Sequence, residues 1–384
     1  MQSCRHRRVV RLPQPLSESK RVPAAFGITP LLILAIASNV IDKMSVVLPP
    51  DRYSRQIRFA PFGSIGQARL KAAKVAIVGC GALGTFQAAA LARAGVGLLR
   101  IIDRDVIEWS NLQRQWLFDE EDAREGRAKA AAASAQILKI NSEVQVEALA
   151  VDLNASNIED VLEGVDLILD GTDNFETRFL INDFAVERGL PWVYGAAVGS
   201  YGLAFPVFPG IGPCMRCIYP QAPTGAQPTC ETAGVLNTIT SVVAAWQVGL
   251  ATRFLAEGAG NIPLQLTTFD TWNFQTRQVG ITVDPTCPCC QMRQFDALDG
   301  RVRAPISLCG RNAVQIHERH AALDLEGLEQ QLAGLGEVRR NDFALRFTPD
   351  ERFELTVFPD GRAIIKGTQD IGIARSLYSR YLGR

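Results

Sequence analysis

The chain has 384 residues, 47% of them hydrophobic and 21% charged, enough for one large α/β domain and a smaller companion. Basic and acidic side chains number 40 each, so no global field draws in nucleic acid or a membrane surface. The three histidines, His6, His317 and His320, all fall outside the central glycine-rich region, which argues against histidine acid/base chemistry or a histidine metal site there.

The first 43 residues stand apart, with Arg5, Arg7, Arg8 and Arg11 ahead of one apolar run, LLILAIASNVI. The run is too short to span a bilayer and has the look of a short signal peptide. The other reading, which we adopt, is a start-site artefact with Met44 as the true beginning, and residues 1–50 form a non-native or disordered extension. Nine cysteines, an odd number at modest density, do not make a secreted disulfide framework. The expectation is a cytoplasmic protein with a metal or thiol site.

From Lys74 onward short β-rich runs alternate with helical stretches, which predicts βαβ units around a mostly parallel sheet, an α/β Rossmann-like fold. KVAIVG reads as a strand, Leu83–Ala94 as a helix, and LLRIID as a second strand ending at Asp103. A helix over Arg127–Ile140, strand VQVEALAV, strand DLILDGT, a helix over Asn174–Glu187 and strand WVYGAA complete the series. Beyond Tyr201 the pattern changes to hairpin-like strands and a Pro/Gly/Thr-rich loop from Pro220 to Thr229. Val235–Ala256 has the length of a membrane span, but Asn237, Gln247 and Arg253 interrupt it and predict a buried or interface helix. Strands near Leu264–Asp270 and Phe274–Ile281 follow. Residues 301–384 read as a small α+β domain with helices over Leu325–Leu335 and Ile371–Leu382 and a hairpin at Asp360-Gly361.

Chemistry concentrates at a few places. In GCGALG, Gly79 suits a tight turn, Gly81 a close approach to phosphate and Gly84 close helix packing, with Asp103 placed to hold ribose hydroxyls. That pattern does not choose between NAD and ATP, and there is no P-loop. Asn111, Gln113, Arg114 and Lys129 add two amides and two cations, more charge than a dinucleotide uses; the bland alternative is a solvated basic face. Asp170 and Asp173 lie at a strand end, where a carboxylate binds Mg²⁺ or, for Asp173, caps the following helix. Cys214-x-x-Cys217 and Cys287-x-x-Cys290 each fit half of a closed tetrahedral zinc site, with Cys289 a bystander; the alternatives are two unrelated redox pairs or accidental buried cysteines. Cys230 reads either as a helix-start thiol of lowered pKa or as a plain buried cysteine, and Cys80 and Cys309 as small core residues. Arg52 and Arg55 precede the first strand, outside the βαβ unit.

Taken in order, R-Y-x-R-Q at Arg52–Gln56, G-x-G-x-L-G at Gly79–Gly84, D-x-D at Asp103 and Asp105, N-L-Q-R-Q at Asn111–Gln115, Lys129, T-D-N at Thr172–Asn174 and the paired C-x-x-C motifs resemble the ThiF/MoeB/HesA family, relatives of the ubiquitin-activating enzymes. The resemblance runs from about Asp51 to Met292, with residues 51–295 as the adenylation domain. It implies ATP- and Mg²⁺-dependent adenylation of the C-terminal glycine carboxylate of a ubiquitin-like sulfur carrier, in thiamine or molybdopterin cofactor biosynthesis. Carried over by position, it assigns Asp103 to the ribose, Asn111, Gln113, Arg114 and Lys129 to the phosphates, Asp173 with neighbouring Asn174 to Mg²⁺, Arg55 to a site across a homodimer, and Cys230 to the crossover loop. The carboxylate nucleophile is ionised at neutral pH, so no histidine base is required.

Ala82 stands where the family often has glycine, and the tail lacks a sulfurtransferase loop and looks like the extra domain of some thiamine-pathway members. The alternatives are a relative acting on tRNA or a peptide, and an NAD-dependent oxidoreductase, which leaves Arg114, Lys129 and the cysteine pairs without a task.

Overall fold

The computed structural model describes residues 52–223, 230, 232–299, 307–308, 313–316, 323–341, 344–359 and 361–382. The prefix with Cys4, His6 and Met44, most of the Pro/Gly/Thr-rich loop, Cys309, His317, His320 and Asp360 lie outside them.

Two short helices, α1 (Ser54–Ile57) and α2 (Gly63–Ala72), come before the first strand. Then follow β1 (Lys74–Val78), α3 (Ala82–Ala94), β2 (Leu98–Ile102), a 3₁₀ turn at Trp109–Asn111, α4 (Glu120–Glu125), α5 (Lys129–Ile140), β3 (Gln145–Leu149), α6 (Ile158–Leu162), β4 (Leu167–Asp170), α7 (Phe175–Arg188) and β5 (Trp192–Val198). Next are β6 (Tyr201–Val207), a 3₁₀ turn at Met215–Cys217, α8 (Asn237–Glu257), β7 (Gln265–Asp270) and β8 (Gln275–Gly280). The predicted βαβ series is present, and α1, α2, α4 and α6 are additions to the expected elements; α2 buries just Gly66, Gln67 and Leu70, and α4 just Asp122 and Ala123.

These eight strands form one sheet in the order β3-β2-β1-β4-β5-β6-β7-β8. The pairings from β3 to β5 are parallel, and those from β5 to β8 antiparallel. β1 and β4 bury four successive residues each, because helices cover both faces of the parallel part. The order reverses between β1 and β4, the switch point where open α/β sheets bind ligands beyond the strands' carboxyl ends. α8 has the length and apolar composition of a membrane span. Its inner face packs on the sheet, with Ile239, Val243, Ala244 and Gln247 buried, while Val242 and Trp246 are exposed on its outer face.

The remaining elements are β9 (Ser307–Leu308), β10 (Ala313–Ile316), α9 (Leu325–Leu332), β11 (Glu337–Arg340), β12 (Leu345–Thr348), β13 (Glu354–Val357), β14 (Ala363–Lys366) and α10 (Ile371–Leu382). They make a six-stranded antiparallel sheet, β11-β12-β13-β14-β10-β9, with its own core of Leu325, Leu328, Phe347, Val357, Tyr378 and others. The predicted hairpin joins β13 to β14 in register Val357 to Ala363, and Gly361 takes φ 83° in the turn.

Candidate active site

Gly79 leaves β1 with φ 88°, a conformation that glycine adopts without strain. A Cβ there, or on Gly84 or Gly171, would overlap backbone, since the turns after β1 and β4 and the start of α3 press together. Gly81 differs: a Cβ on it would meet only Gln115 Nε2, at 3.8 Å, so this glycine faces open space at the N-terminus of α3. A helix N-terminus with open space beside it has room for a phosphate. Ala82 is the first residue of α3 and Cys80 is fully buried, a small core residue as expected.

Asp103 ties this turn to the next. Its Oδ2 accepts the Cys80 N–H at 2.6 Å and its Oδ1 the Asp105 N–H at 2.7 Å. A carboxylate offers about four acceptor positions, which leaves capacity for ribose hydroxyls. Burial pushes the Asp103 carboxyl up, against the pull of Lys129.

Lys129 opens α5, and its Nζ binds Asp105 Oδ2 at 3.1 Å while its N–H donates to the Asp105 carbonyl. Asn111 is buried, with its Oδ1 accepting the Glu108 N–H at 3.0 Å; Glu108 in return accepts the Asn111 N–H, a reciprocal cap on the 3₁₀ turn. Arg114 donates to the Ser110 carbonyl at 2.7 Å, and the Trp116 N–H reaches Thr85 in the first turn of α3. The segment from Glu108 to Trp116 is thereby fastened beside the glycine turn. A cavity of about 150 Å³ is lined by Val106, Glu108, Ser110, Asn111, Arg114, Lys129 and Cys230. Four of the residues singled out in the sequence thus face one space. Gln113 is exposed and does not line it.

At the end of β4, Asp170 is fully buried and accepts from Thr172 N–H and Oγ1, from Arg178 Nε at 3.0 Å and from the Gly195 N–H. Both its oxygens are engaged, so it is no Mg²⁺ ligand. Asp173 is exposed, with no hydrogen bond or ion pair among the described residues. The capping role weighed for Asp173 belongs to its neighbour: α7 starts at Phe175, and Asn174 Oδ1 accepts the Thr177 N–H at 2.8 Å. The Asn174 side chain is therefore committed to the helix, and Asp173 stands ahead of it.

Cys230 sits in a turn seven residues before α8, not at a helix start. Its Sγ contacts the Ala197 carbonyl at 3.6 Å. Burial, helped by Asp173, holds its thiol above the usual range, against Arg114 and Arg178, so the lowered-pKa reading fails. Arg55 is exposed on α1, whose neighbours Tyr53 and Gln56 bond Asn141 and the Ala94 carbonyl at the far end of α3. Thirteen helical residues, about 20 Å, separate that end from the glycine turn. Within one protomer, Arg55 does not belong to this cavity.

Away from the cleft, Cys214, Cys217, Cys287 and Cys290 place their four Sγ atoms within 4.8 Å of one another. The Cys214–Cys287 and Cys217–Cys290 separations are 3.6 and 3.5 Å. A tetrahedron of thiolates about 2.3 Å from zinc has edges of about 3.8 Å, so the donor set and its spacing fit Zn²⁺. With four protein ligands such a site is closed and structural. Cys289 instead accepts from Asn182, whose Oδ1 takes the Met215 N–H, which anchors both knuckles on α7.

Two parts of the site were invisible in the linear sequence. Arg178, the buried partner of Asp170, sits eight residues away with no distinguishing pattern. Gln87 and Gln247, which both donate to the Asp170 carbonyl, come from helices 160 residues apart and meet only in three dimensions.

The chain matches the ThiF family over residues 53–289. It is 44% identical over 338 residues to the sulfur carrier protein ThiS adenylyltransferase of Bacillus subtilis, a match covering 86% of this chain and 99% of that protein. It is 37% identical over 246 residues to the sulfur carrier protein adenylyltransferase of Thermus thermophilus, covering 62% of this chain and 90% of that one. Among solved structures, MccB of E. coli, crystallised with succinimide, superposes with a TM-score of 0.55 at 25% identity over 63% of this chain and 75% of its own. A family match over more than half of its length, beside a curated adenylyltransferase covered almost end to end, establishes that this chain belongs to the ThiF family.

Proposed function

We propose that the protein adenylates the C-terminal glycine carboxylate of a ubiquitin-like sulfur carrier, consuming ATP and releasing pyrophosphate, within thiamine biosynthesis. The observation that carries this reading is the cavity where Asn111, Arg114 and Lys129 converge beside Gly81, with an unengaged Asp173 ahead of α7. The thiamine branch rests on the Bacillus subtilis relative, whose match takes in 86% of this chain, against 62% for the Thermus thermophilus protein.

In this reading Asp103 holds the ribose and the α3 N-terminus receives the phosphate nearest it. The carrier's carboxylate, already ionised, attacks the α-phosphorus; a P–O bond forms, the bond to pyrophosphate breaks, and no proton has to move. Arg114 and Lys129 neutralise the departing pyrophosphate, and Asn111 supplies an amide donor. Asp173 would hold Mg²⁺, which supplies charge neutralisation across the phosphates. Cys230 faces the same space, where a thiol could take part in sulfur transfer or linkage to the carrier. Arg55 serves the cleft of a second copy in a homodimer; Val242 and Trp246 on α8, Phe59 after α1 and Ile65 on α2 are exposed apolar side chains available to such a contact. The thiolate zinc site suits the reducing cytoplasm.

Pyrophosphate exchange into ATP tests the proposal. Exchange should require added carrier and favour the thiamine-type one; its absence with both thiamine-type and molybdopterin-type carriers sinks the proposal.

A further inference from the structure

The tail domain is not appended at a distance: four of its strands, or the residues beside them, bear on the segment that follows β2. Val106 packs against Ala313, Ala344, Phe358 and Ile364 of the tail. Arg362, fully buried and stacked over the Phe358 ring at 3.7 Å, donates to the Arg104 carbonyl at 3.2 Å. Gln315 on β10 donates to Asp152 at 2.8 Å, the same carboxylate that pairs with Arg104. At the end of β14, Lys366 Nζ binds Glu108 Oε1 and also lies 3.3 Å from Glu354 on β13.

That last contact reaches furthest. Glu108 is the residue whose side chain accepts the Asn111 N–H, and Asn111 returns the bond to the Glu108 N–H. The capped turn includes Ser110, whose carbonyl anchors Arg114. A cation on Glu108 fixes the carboxylate that closes the turn, and the turn fixes the amide and the guanidinium that line the cavity. On the opposite side of the loop, the Ile107 N–H donates to the Arg127 carbonyl, two residues before Lys129. The wall is held between the tail sheet and the segment that leads into α5.

We propose that Lys366 is a positioning residue for nucleotide binding, acting through Glu108 on Asn111 and Arg114, and that the tail domain completes the nucleotide site of the adenylation domain rather than serving a separate task. The proposal rests on the cavity's being the ATP site. Lys366 does not line the cavity and touches no substrate; its influence is the order it imposes on groups that do.

The experiment is calorimetric titration of the full chain with MgATP, comparing wild type, Lys366→Met, Lys366→Arg, Glu108→Gln and the double variant, each with its melting temperature recorded. If wild type does not bind MgATP, the functional reading fails before the tail is tested. Given wild-type binding, Lys366→Met should weaken ATP about fivefold with an unshifted melting temperature, and Lys366→Arg should restore affinity to within about twofold. The double variant should be no weaker than Glu108→Gln alone, because both changes remove one interaction. ATP affinity unchanged in Lys366→Met, strictly additive losses in the double variant, or a loss that tracks melting temperature and is not rescued by arginine would each overturn the proposal.

Discussion

The two walls of the cleft are built on opposite plans. On the β2 side nearly every charged group is held by the protein: Asp103 by two backbone N–H groups, Lys129 by Asp105, Asn111 by Glu108, Arg114 by a carbonyl. On the β4 side the chain locks Asp170 with Arg178 and caps α7 with Asn174, yet leaves Asp173 exposed between them. The first wall is assembled before any ligand arrives, and the second presents one carboxylate that Arg104 and Arg178 attract from a distance but that makes no hydrogen bond or ion pair among the described residues. A substitution in the first wall should disturb fold and binding together; one at Asp173 should disturb ATP binding and chemistry and leave the fold intact.

The four-cysteine cluster lies outside both walls and, as a fit for Zn²⁺, sets the scale for a purely structural loss. Cys287→Ser should abolish stoichiometric zinc by elemental analysis and cost on the order of 5 kcal/mol or more in stability. Zinc retained at one per chain would remove the site from the account. Next in size, Lys129→Met strips Asp105 of its nearer ion-pair partner at a mostly buried site and leaves only Arg104 at 3.9 Å, a loss of about 3 kcal/mol. Denaturant unfolding and ATP titration should both worsen; a change in only one of them would break the contrast between the walls. Asp173→Asn should leave stability within about 0.5 kcal/mol and lower the adenylation rate roughly 100-fold. A destabilised Asp173→Asn protein would show that the exposed carboxylate has a structural task.

The smallest effect concerns Cys230. Because burial and then Asp173 hold its thiol high, the thiolate fraction near neutral pH is below that of a free cysteine. Iodoacetamide should label it more slowly than free cysteine, and Asp173→Asn, by removing a raising charge, should speed labelling at mildly alkaline pH. Equal labelling rates in the two proteins would separate the two groups electrostatically.

The legible part of this molecule is what local pattern dictates. Buried runs such as Val75–Val78 and Leu167–Asp170 announce strands, Gly79 and Gly84 announce the turn, and the paired C-x-x-C spacing announces the thiolate cluster. Combined order along the chain, and not any single motif, pointed to the family. What stayed hidden depends on contacts between distant segments: Arg178 reads as an ordinary helix arginine until Asp170 is seen to be buried beside it. Lys366 is one basic residue at a strand end until β14 is laid against the Glu108 turn. The capping choice between Asp173 and Asn174 hinges on a one-residue helix boundary, which propensity does not resolve since both residues cap well. The sequence leaves the two readings of Cys230 open for a related reason: its environment comes from Ala197, Asp173 and Arg114, and no helix begins there.

The central claim is that the charge beyond the glycine turn serves a triphosphate. Calorimetric titration of the full chain with ATP, AMP and NADH in the presence of Mg²⁺ measures this directly. The account predicts ATP binding at least about tenfold tighter than AMP, a margin of about 1.4 kcal/mol supplied by Arg114, Lys129 and the cation at Asp173, with no measurable NADH binding. Equal affinities for ATP and AMP, or NADH binding tighter than ATP, would contradict it.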